Sequence, residues 1–166
     1  MSIEIGRATA GDTRWGELLA LLHEAFEYQR ARIDPPSSLY RLDAASLAQK
    51  AQEETLFVAT DAGQLVGCAF ARLERDCVYV GKVAVRPGWQ GQGLGRRLMQ
   101  AVECHALQTG RSVLELETRI ELVENHATFA ALGFVRTAEH AHAGYDRPTY
   151  VTMQKSLRAP VTSPAA

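Results

Sequence analysis

Charge of one sign, long apolar runs and paired cysteines are all scarce in this chain, and each scarcity removes a class of function. Lysine and arginine number 18 against 19 acidic residues, for a formal net charge of −1. Nothing in that balance points to nucleic-acid binding as a main task. No apolar stretch approaches the roughly 20 residues that cross a bilayer, so no membrane association is expected. The opening Met1-Ser2-Ile3-Glu4-Ile5 lacks a basic-then-apolar leader, which makes a cytoplasmic protein the expectation. Cys68, Cys77 and Cys104 form no Cys-x-x-Cys pair and have no histidine at ligand spacing. Disulfide and zinc readings are therefore poor, and buried thiols in a reducing compartment are expected. His140 and His142 with Asp146 make only a loose set in a turn, so no metal is expected. What remains is an ordinary globular composition, 46% apolar and 22% charged over 166 residues. That is enough for one domain with a single core.

Periodicity orders the chain as β-α-α-β-β-β-α-β-α-β-β. Ile3 to Arg7 alternates as a strand. Trp15, Leu18, Leu19, Leu22, Ala25 and Phe26 recur at helical spacing, with Thr9 or Asp12 available as a cap. Asp34-Pro35-Pro36 breaks that pattern, and a second helix is expected over 43–53. Strands follow at 55–60 and 65–73, joined by a turn at Asp61-Ala62-Gly63-Gln64, and then at 77–85. A helix over 93–108 would bury Leu94, Leu98, Ala101, Val102 and His105, with Gly110 ending it. A strand at 112–118, a helix from Glu121 or Glu124 to Leu132, and an antiparallel pair at 134–138 and 149–155 complete the order. This is an α+β layer, with one domain at 3–157 and a tail at 158–166 that reads as disordered.

The segment Val83 to Met99 carries the most chemistry. A β-branched run stops at Pro87, Gly91, Gly93 and Gly95 alternate, and a helical pattern starts at once. Glycines let backbone N–H groups converge on an anion, and the helix start adds unpaired N–H groups and its dipole. The Gly-Lys-Ser/Thr of nucleotide triphosphatases is missing, because Arg96 and Arg97 follow Gly95. The spacing G-x-G-x-G also departs from the dinucleotide fingerprint. Gln90-Gly91-Gln92-Gly93-Leu94-Gly95 fits Q/R-x-x-G-x-G/A, and here the chain resembles the GNAT superfamily of N-acetyltransferases. A second signature agrees in order and spacing: Asn125, an aromatic at Phe129, then Gly133-Phe134.

The resemblance covers nearly the whole chain. It implies the GNAT fold, a mostly antiparallel mixed sheet flanked by helices, with acetyl-CoA as cosubstrate. It places the pyrophosphate on Gln90, Gly91, Gln92, Gly93, Leu94 and Gly95, with Arg96 or Arg97 neutralising phosphate. Main-chain groups of Val83, Ala84 and Val85 would pair with pantetheine where the fourth strand splays from the fifth, and Asn125 would hydrogen-bond the cofactor. Gly81 suits a bulge that bends this strand outward. On the residues alone, Asn125 reads equally as a helix cap, and Arg96 and Arg97 as a solvated pair.

The resemblance also exposes a departure. Many GNAT enzymes supply a tyrosine acid four residues after the signature asparagine, and Phe129 has no proton to give. Tyr79 is the catalytic candidate, on one strand face with Gly81, Val83 and Val85 if alternation holds. With an ordinary pKa near 10 it suits an acid or water-relay role better than a base. Packing against the sheet is its alternative role. His126, Tyr145, Tyr150, Glu117 and Arg119 are further candidates near the acceptor side. Arg30, Arg32 and Arg41, around the double proline, are either a carboxylate clamp or solvated loop charges. The implied activity is acetyl transfer to a primary amine of a small molecule or peptide, by direct attack in a ternary complex. A homodimer is compatible with it. The alternative is a non-catalytic acyl-CoA-binding sensor, which Phe129 keeps in view.

Overall fold

The computed structural model describes residues 2–9, 11–12 and 14–158. Strand β1 (Ile3–Arg7) leads to helices α1 (Trp15–Phe26) and α2 (Ala44–Glu53), then strands β2 (Thr55–Asp61), β3 (Gln64–Leu73) and β4 (Val78–Val85). Helix α3 (Leu94–Gln108), strand β5 (Val113–Arg119), helix α4 (Val123–Ala131) and strands β6 (Val135–His140) and β7 (Tyr150–Ser156) complete the order expected from periodicity. Short 3-10 turns are added at Glu27–Gln29, Ser38–Arg41 and Pro87–Trp89. From residue 159 on, the tail expected to be disordered lies outside the described residues.

Local chemistry accounts for most boundaries. Asp43 caps α2 by accepting from Ser46 N–H at 2.8 Å, while the Ser46 hydroxyl accepts from Asp43 N–H, closing a capping box. Ala62 and Gly63 both take positive φ (49° and 82°) in the β2–β3 turn, the geometry that matches strand twist. Helix α1 departs from expectation, because its N-cap is Arg14, which makes no side-chain cap bond. Asp12, two residues before that N-cap, instead accepts the Arg14 N–H at 3.0 Å, outside the helix.

Seven strands form one sheet in the order β1-β2-β3-β4-β5-β7-β6, antiparallel throughout except for β4 beside β5. Helices α3 and α4 cover one face and α1 and α2 the other. Leu94, Leu98, Met99, Val102 and Ala106 of α3 pack with Val78, Val80, Leu114 and Leu116. Leu18, Leu21 and Leu22 of α1 and Leu47 of α2 pack with Val58, Phe70 and Ala84. Ala101, expected inside, is only partly buried, while Met99 and Ala106 are buried in full. Of the three thiols only Cys68 is buried; Cys77 is half-buried and Cys104 exposed, because their positions fall on the rim of the strand and the outer stripe of the helix.

Gly67 lets α3 approach the sheet closely. A Cβ there would lie 3.1 Å from the Ala84 carbonyl oxygen, 3.1 Å from Leu98 Cδ1 and 3.4 Å from Ala59 Cβ. Two of those three neighbours cannot yield without moving backbone or core. Gly67→Ala should therefore destabilise the fold by about 1–3 kcal/mol. Thermal unfolding reads this as a lowered Tm; an unchanged Tm would mean that this contact has slack.

Candidate functional site

Strand β4 opens the site. It pairs with β5 only at Val78↔Leu114 and Tyr79↔Glu115, so beyond Tyr79 its groups on that side are released from the ladder. A bulge on its β3 side follows within three residues. Between Cys68 and Phe70 of β3 the partner moves from Ala84 to Gly81, which leaves Lys82 and Val83 opposite a single residue. Lys82 carries the irregularity, with φ +51°. Gly81, the residue expected to bulge, pairs in register with Phe70. A lysine in this conformation is uncommon, and no local sequence signal announces it.

The bulge corrects a second expectation. Before it, Val78 and Val80 face α3, and Tyr79 and Gly81 face the α1–α2 side. After it, Val83 and Val85 pack toward α3 and Ala84 toward α1. Tyr79 therefore does not share a face with Val83 and Val85, since two-residue alternation fails across an inserted residue.

A groove of two connected parts results. The first is lined by Val83, Val85, Gln90, Gly91, Gly93 and Arg96 on one side and Asn125, Thr128 and Leu132 on the other. The loop that enters it is held at its base. Arg86 Nε donates to the Leu65 carbonyl at 2.8 Å, Trp89 Nε1 to Asp61 at 2.8 Å, and Gln90 Nε2 to the Val85 carbonyl at 2.9 Å. Gly91 and Gly93 take φ of +79° and +78°, and a Cβ on either, or on Gly95, would meet nothing within 4 Å. Gly93 is the N-cap of α3, and no side chain caps that helix. Its first N–H groups are left for an anion. Arg97 is turned away, its Nη2 donating to the Ile3 carbonyl at 3.1 Å, whereas Arg96 stays on the groove. Leu94 lines the groove while its side chain is buried in the core. Gln92 and Ala84 are not among the lining residues; Gln92 is exposed and Ala84 buried.

Asn125 is the third residue of α4, whose N-cap is Leu122, so it does not cap. Its side-chain amide meets the Tyr28 hydroxyl at 3.1 and 3.2 Å. Tyr28 also borders the groove, and only the tertiary packing of the turn after α1 brings it there. Phe129 packs edge-on against Phe134, ring centres 6.0 Å apart.

The second part of the groove is polar. Tyr79, Lys82, Glu117, Arg119, Ser37 and Ser38 line it, and Phe26, Val83, Asn125 and Phe129 border both parts. Tyr79 donates to Glu117 at 3.4 Å, with Arg72 stacked 4.6 Å over its ring. Burial, and next the Glu117 carboxylate, push the Tyr79 phenol well above its ordinary range. Lys82 Nζ donates to the Ser38 hydroxyl at 3.0 Å. Burial first, then the charges of Lys50, Arg119 and Arg41, bring its ammonium down to about 8. Cys68 Sγ donates to the Lys82 carbonyl at 3.3 Å, and burial raises that thiol to about 12. His126 Nε2 donates to the Arg119 carbonyl at 2.9 Å and is absent from both linings. Tyr145 donates to Asp34 at 2.6 Å, while Tyr150 borders the polar part.

Among the described residues no group of three or more His, Cys, Asp or Glu could hold a metal ion, and no helix is long and apolar enough to cross a membrane.

Comparison with known proteins agrees with this geometry. The model of the acetyltransferase (GNAT) family matches residues 15–134. An IAA acetyltransferase of Azospirillum brasilense is 30% identical over 125 residues, covering 74% of this chain and 80% of that protein. An aminoglycoside N(6')-acetyltransferase type 1 of Stenotrophomonas maltophilia is 36% identical over 95 residues, covering 51% of this chain and 62% of its own length. Among solved structures, a GNAT family acetyltransferase from Elizabethkingia anophelis with acetyl-CoA bound superposes with a TM-score of 0.68 at 19% identity. That match covers 93% of this chain and 98% of the other.

Proposed function

This chain belongs to the GNAT acetyltransferase family, and from that premise we propose that it moves an acetyl group from acetyl-CoA to a primary amine by direct attack in a ternary complex. The observation that carries the reading is the continuity of the groove. An uncapped helix start with open glycines lies at one end and a polar pocket at the other, with the β4–β5 split between them.

The residues fit the cosubstrate. The N–H groups at Gly93, Leu94 and Gly95, with the Arg96 charge, suit a pyrophosphate. The β4 backbone along Val83, Ala84 and Val85 lies beyond the last β5 pairing, with the Val85 carbonyl held by Gln90 Nε2, and it suits an amide-bearing pantetheine arm, which Asn125 would also reach. Acetyl-CoA supplies the thioester. The rest falls to the chain. Val83 and Val85 orient the arm, and Phe129 and Phe26 exclude water where the two parts of the groove meet. Glu117 accepts the amine proton, directly or through one water. Tyr79, with its raised pKa, keeps its own proton and acts as a donor that holds Glu117 in place. Tyr28, fixed on Asn125, replaces the hydroxyl that Phe129 lacks and serves the leaving thiolate.

Direct attack is favoured because the thiol that touches the pocket strand at the Lys82 carbonyl is unsuited to a covalent relay. Cys68 is buried, hydrogen-bonded and protonated at neutral pH, and the thiolate is the nucleophilic form.

Thiol release from acetyl-CoA across amino acids, polyamines, aminoglycosides and peptide N-termini tests the reading. Cofactor binding without turnover on every class would mark the chain as an acyl-CoA sensor instead. Tyr79→Phe should lower kcat about tenfold and leave the acetyl-CoA Kd unchanged. Wild-type turnover in that variant would remove Tyr79 from the mechanism.

A further inference from the structure

Cations are unevenly engaged around the polar pocket. Arg32 is paired with Glu124, Arg30 with Glu27, Lys50 with Glu54 and Arg72 with Glu74. Two of the three arginines that the sequence offers as a clamp, Arg30 and Arg32, are thus neutralised at the surface. Arg41, Lys82 and Arg119 are different: all three line the pocket, and among the described residues none has an ion-pair partner within 4.0 Å. Lys82 holds only the Ser38 hydroxyl, and Arg119 donates through Nη2 to the Pro36 carbonyl at 3.1 Å. Among the described residues the buried Arg119 Nη1 has no hydrogen-bond partner, and neither has the buried Oε1 of Glu121.

Among the described residues the nearby carboxylates make no ion pair within 4.0 Å with any of the three, and Glu121 and Asp34 act on Arg119 only at longer range. Asp34 is engaged by Tyr145 and Arg147, and Glu121 accepts from Asp34 N–H at 3.3 Å. Glu117 is the carboxylate that lines the pocket, and it accepts from Tyr79. The pocket is therefore bipolar, with one carboxylate that suits an incoming ammonium and three unpaired cations beside it. An unpartnered buried guanidinium N–H is costly, and a carboxylate is the ligand that satisfies a guanidinium and an ammonium together.

We infer that Arg41, Lys82 and Arg119 form an anion subsite, and that the acceptor is a small zwitterion carrying a carboxylate near its amine. This rests on the acetyl-transfer reading. A polycation such as an aminoglycoside meets three like charges here and is disfavoured.

The test is thiol release at saturating acetyl-CoA with matched acceptors. These are the α-amino acids, β-alanine and γ-aminobutyrate, each as free carboxylate and as carboxamide, with spermidine and kanamycin alongside. The expected result is a carboxylate-over-carboxamide ratio in kcat/KM of at least about tenfold for the best acceptor, the scale of one charged hydrogen bond. In Arg119→Gln and Arg41→Gln that ratio falls toward one. Arg41 is exposed with no partner to lose, so its variant guards against misfolding of the other. Preference for carboxamides, spermidine or kanamycin overturns the inference, as does a ratio that survives both substitutions. Absence of turnover on every amine counts against acetyl transfer itself. In that event the subsite is read by calorimetry on the protein–CoA complex, with N-acetyl amino acids against N-acetyl amino amides. A tenfold preference for the acids supports it, and equal or absent binding overturns it.

Discussion

Replacement of Gly93 by aspartate should abolish acetyl-CoA binding while the protein stays folded. The two halves of that expectation have separate causes. Gly93 sits at φ +78° as the N-cap of α3, and a Cβ there meets nothing within 4 Å. Aspartate is among the side chains that tolerate this backbone region, and it is also a favoured N-cap. Any strain is offset by a carboxylate placed at the positive end of the helix. The same carboxylate then takes the N–H groups that the pyrophosphate needs and repels its charge. Calorimetry should show Kd raised at least about 100-fold, or roughly 2.7 kcal/mol, with Tm within a few degrees of wild type. An unchanged Kd would refute the cradle outright, and a collapsed Tm would mean that α3 needs its glycine for folding.

Glu117→Gln should cost turnover about 10²–10³-fold at neutral pH, the usual worth of a positioned base. The amide oxygen can still accept from Tyr79, so the pocket keeps its shape and only the proton acceptor is lost. The pH dependence separates this from misplacement. An amine in solution is mostly protonated at neutral pH, and its free fraction rises tenfold per unit until its own pKa. The deficit of the variant should therefore shrink as pH rises, because solvent then does the work of Glu117. A deficit constant with pH would assign Glu117 to positioning, and wild-type turnover at pH 7 would remove it from the mechanism.

Much of the architecture was legible in the sequence, because most elements obey a single period. The leucines of α1, the alternation of β5 and the glycines that close α3 and α4 each declare their element locally. The glycine loop and Asn125 were legible as a pair of spaced signatures. The polar pocket was less so. Lys82 lies at a bulge with no local signature, and Tyr28 and Asn125 meet only because the turn after α1 packs on α4. The choice of Arg41 over Arg30 and Arg32 depends on where Glu27 and Glu124 happen to sit. Each of these is a tertiary fact. The Tyr79 face departs from simple alternation for the same reason, since a period holds only while the ladder is unbroken.

The inserted residue in β4 makes the strand a device with two reading frames. Upstream of Lys82, even-numbered positions address the α3 layer; downstream, odd-numbered ones do. Side chains for the acceptor and backbone for the donor can thus come from one strand on opposite sides of the sheet. The arrangement has an evolutionary corollary. Point substitutions along β4 leave the two frames intact, so acceptor preference can drift while donor recognition stays constant. Loss of a single residue at the bulge would merge the frames and exchange inside for outside along every position that follows. Diversification at this strand should therefore proceed by exchange of side chains and almost never by a change of length.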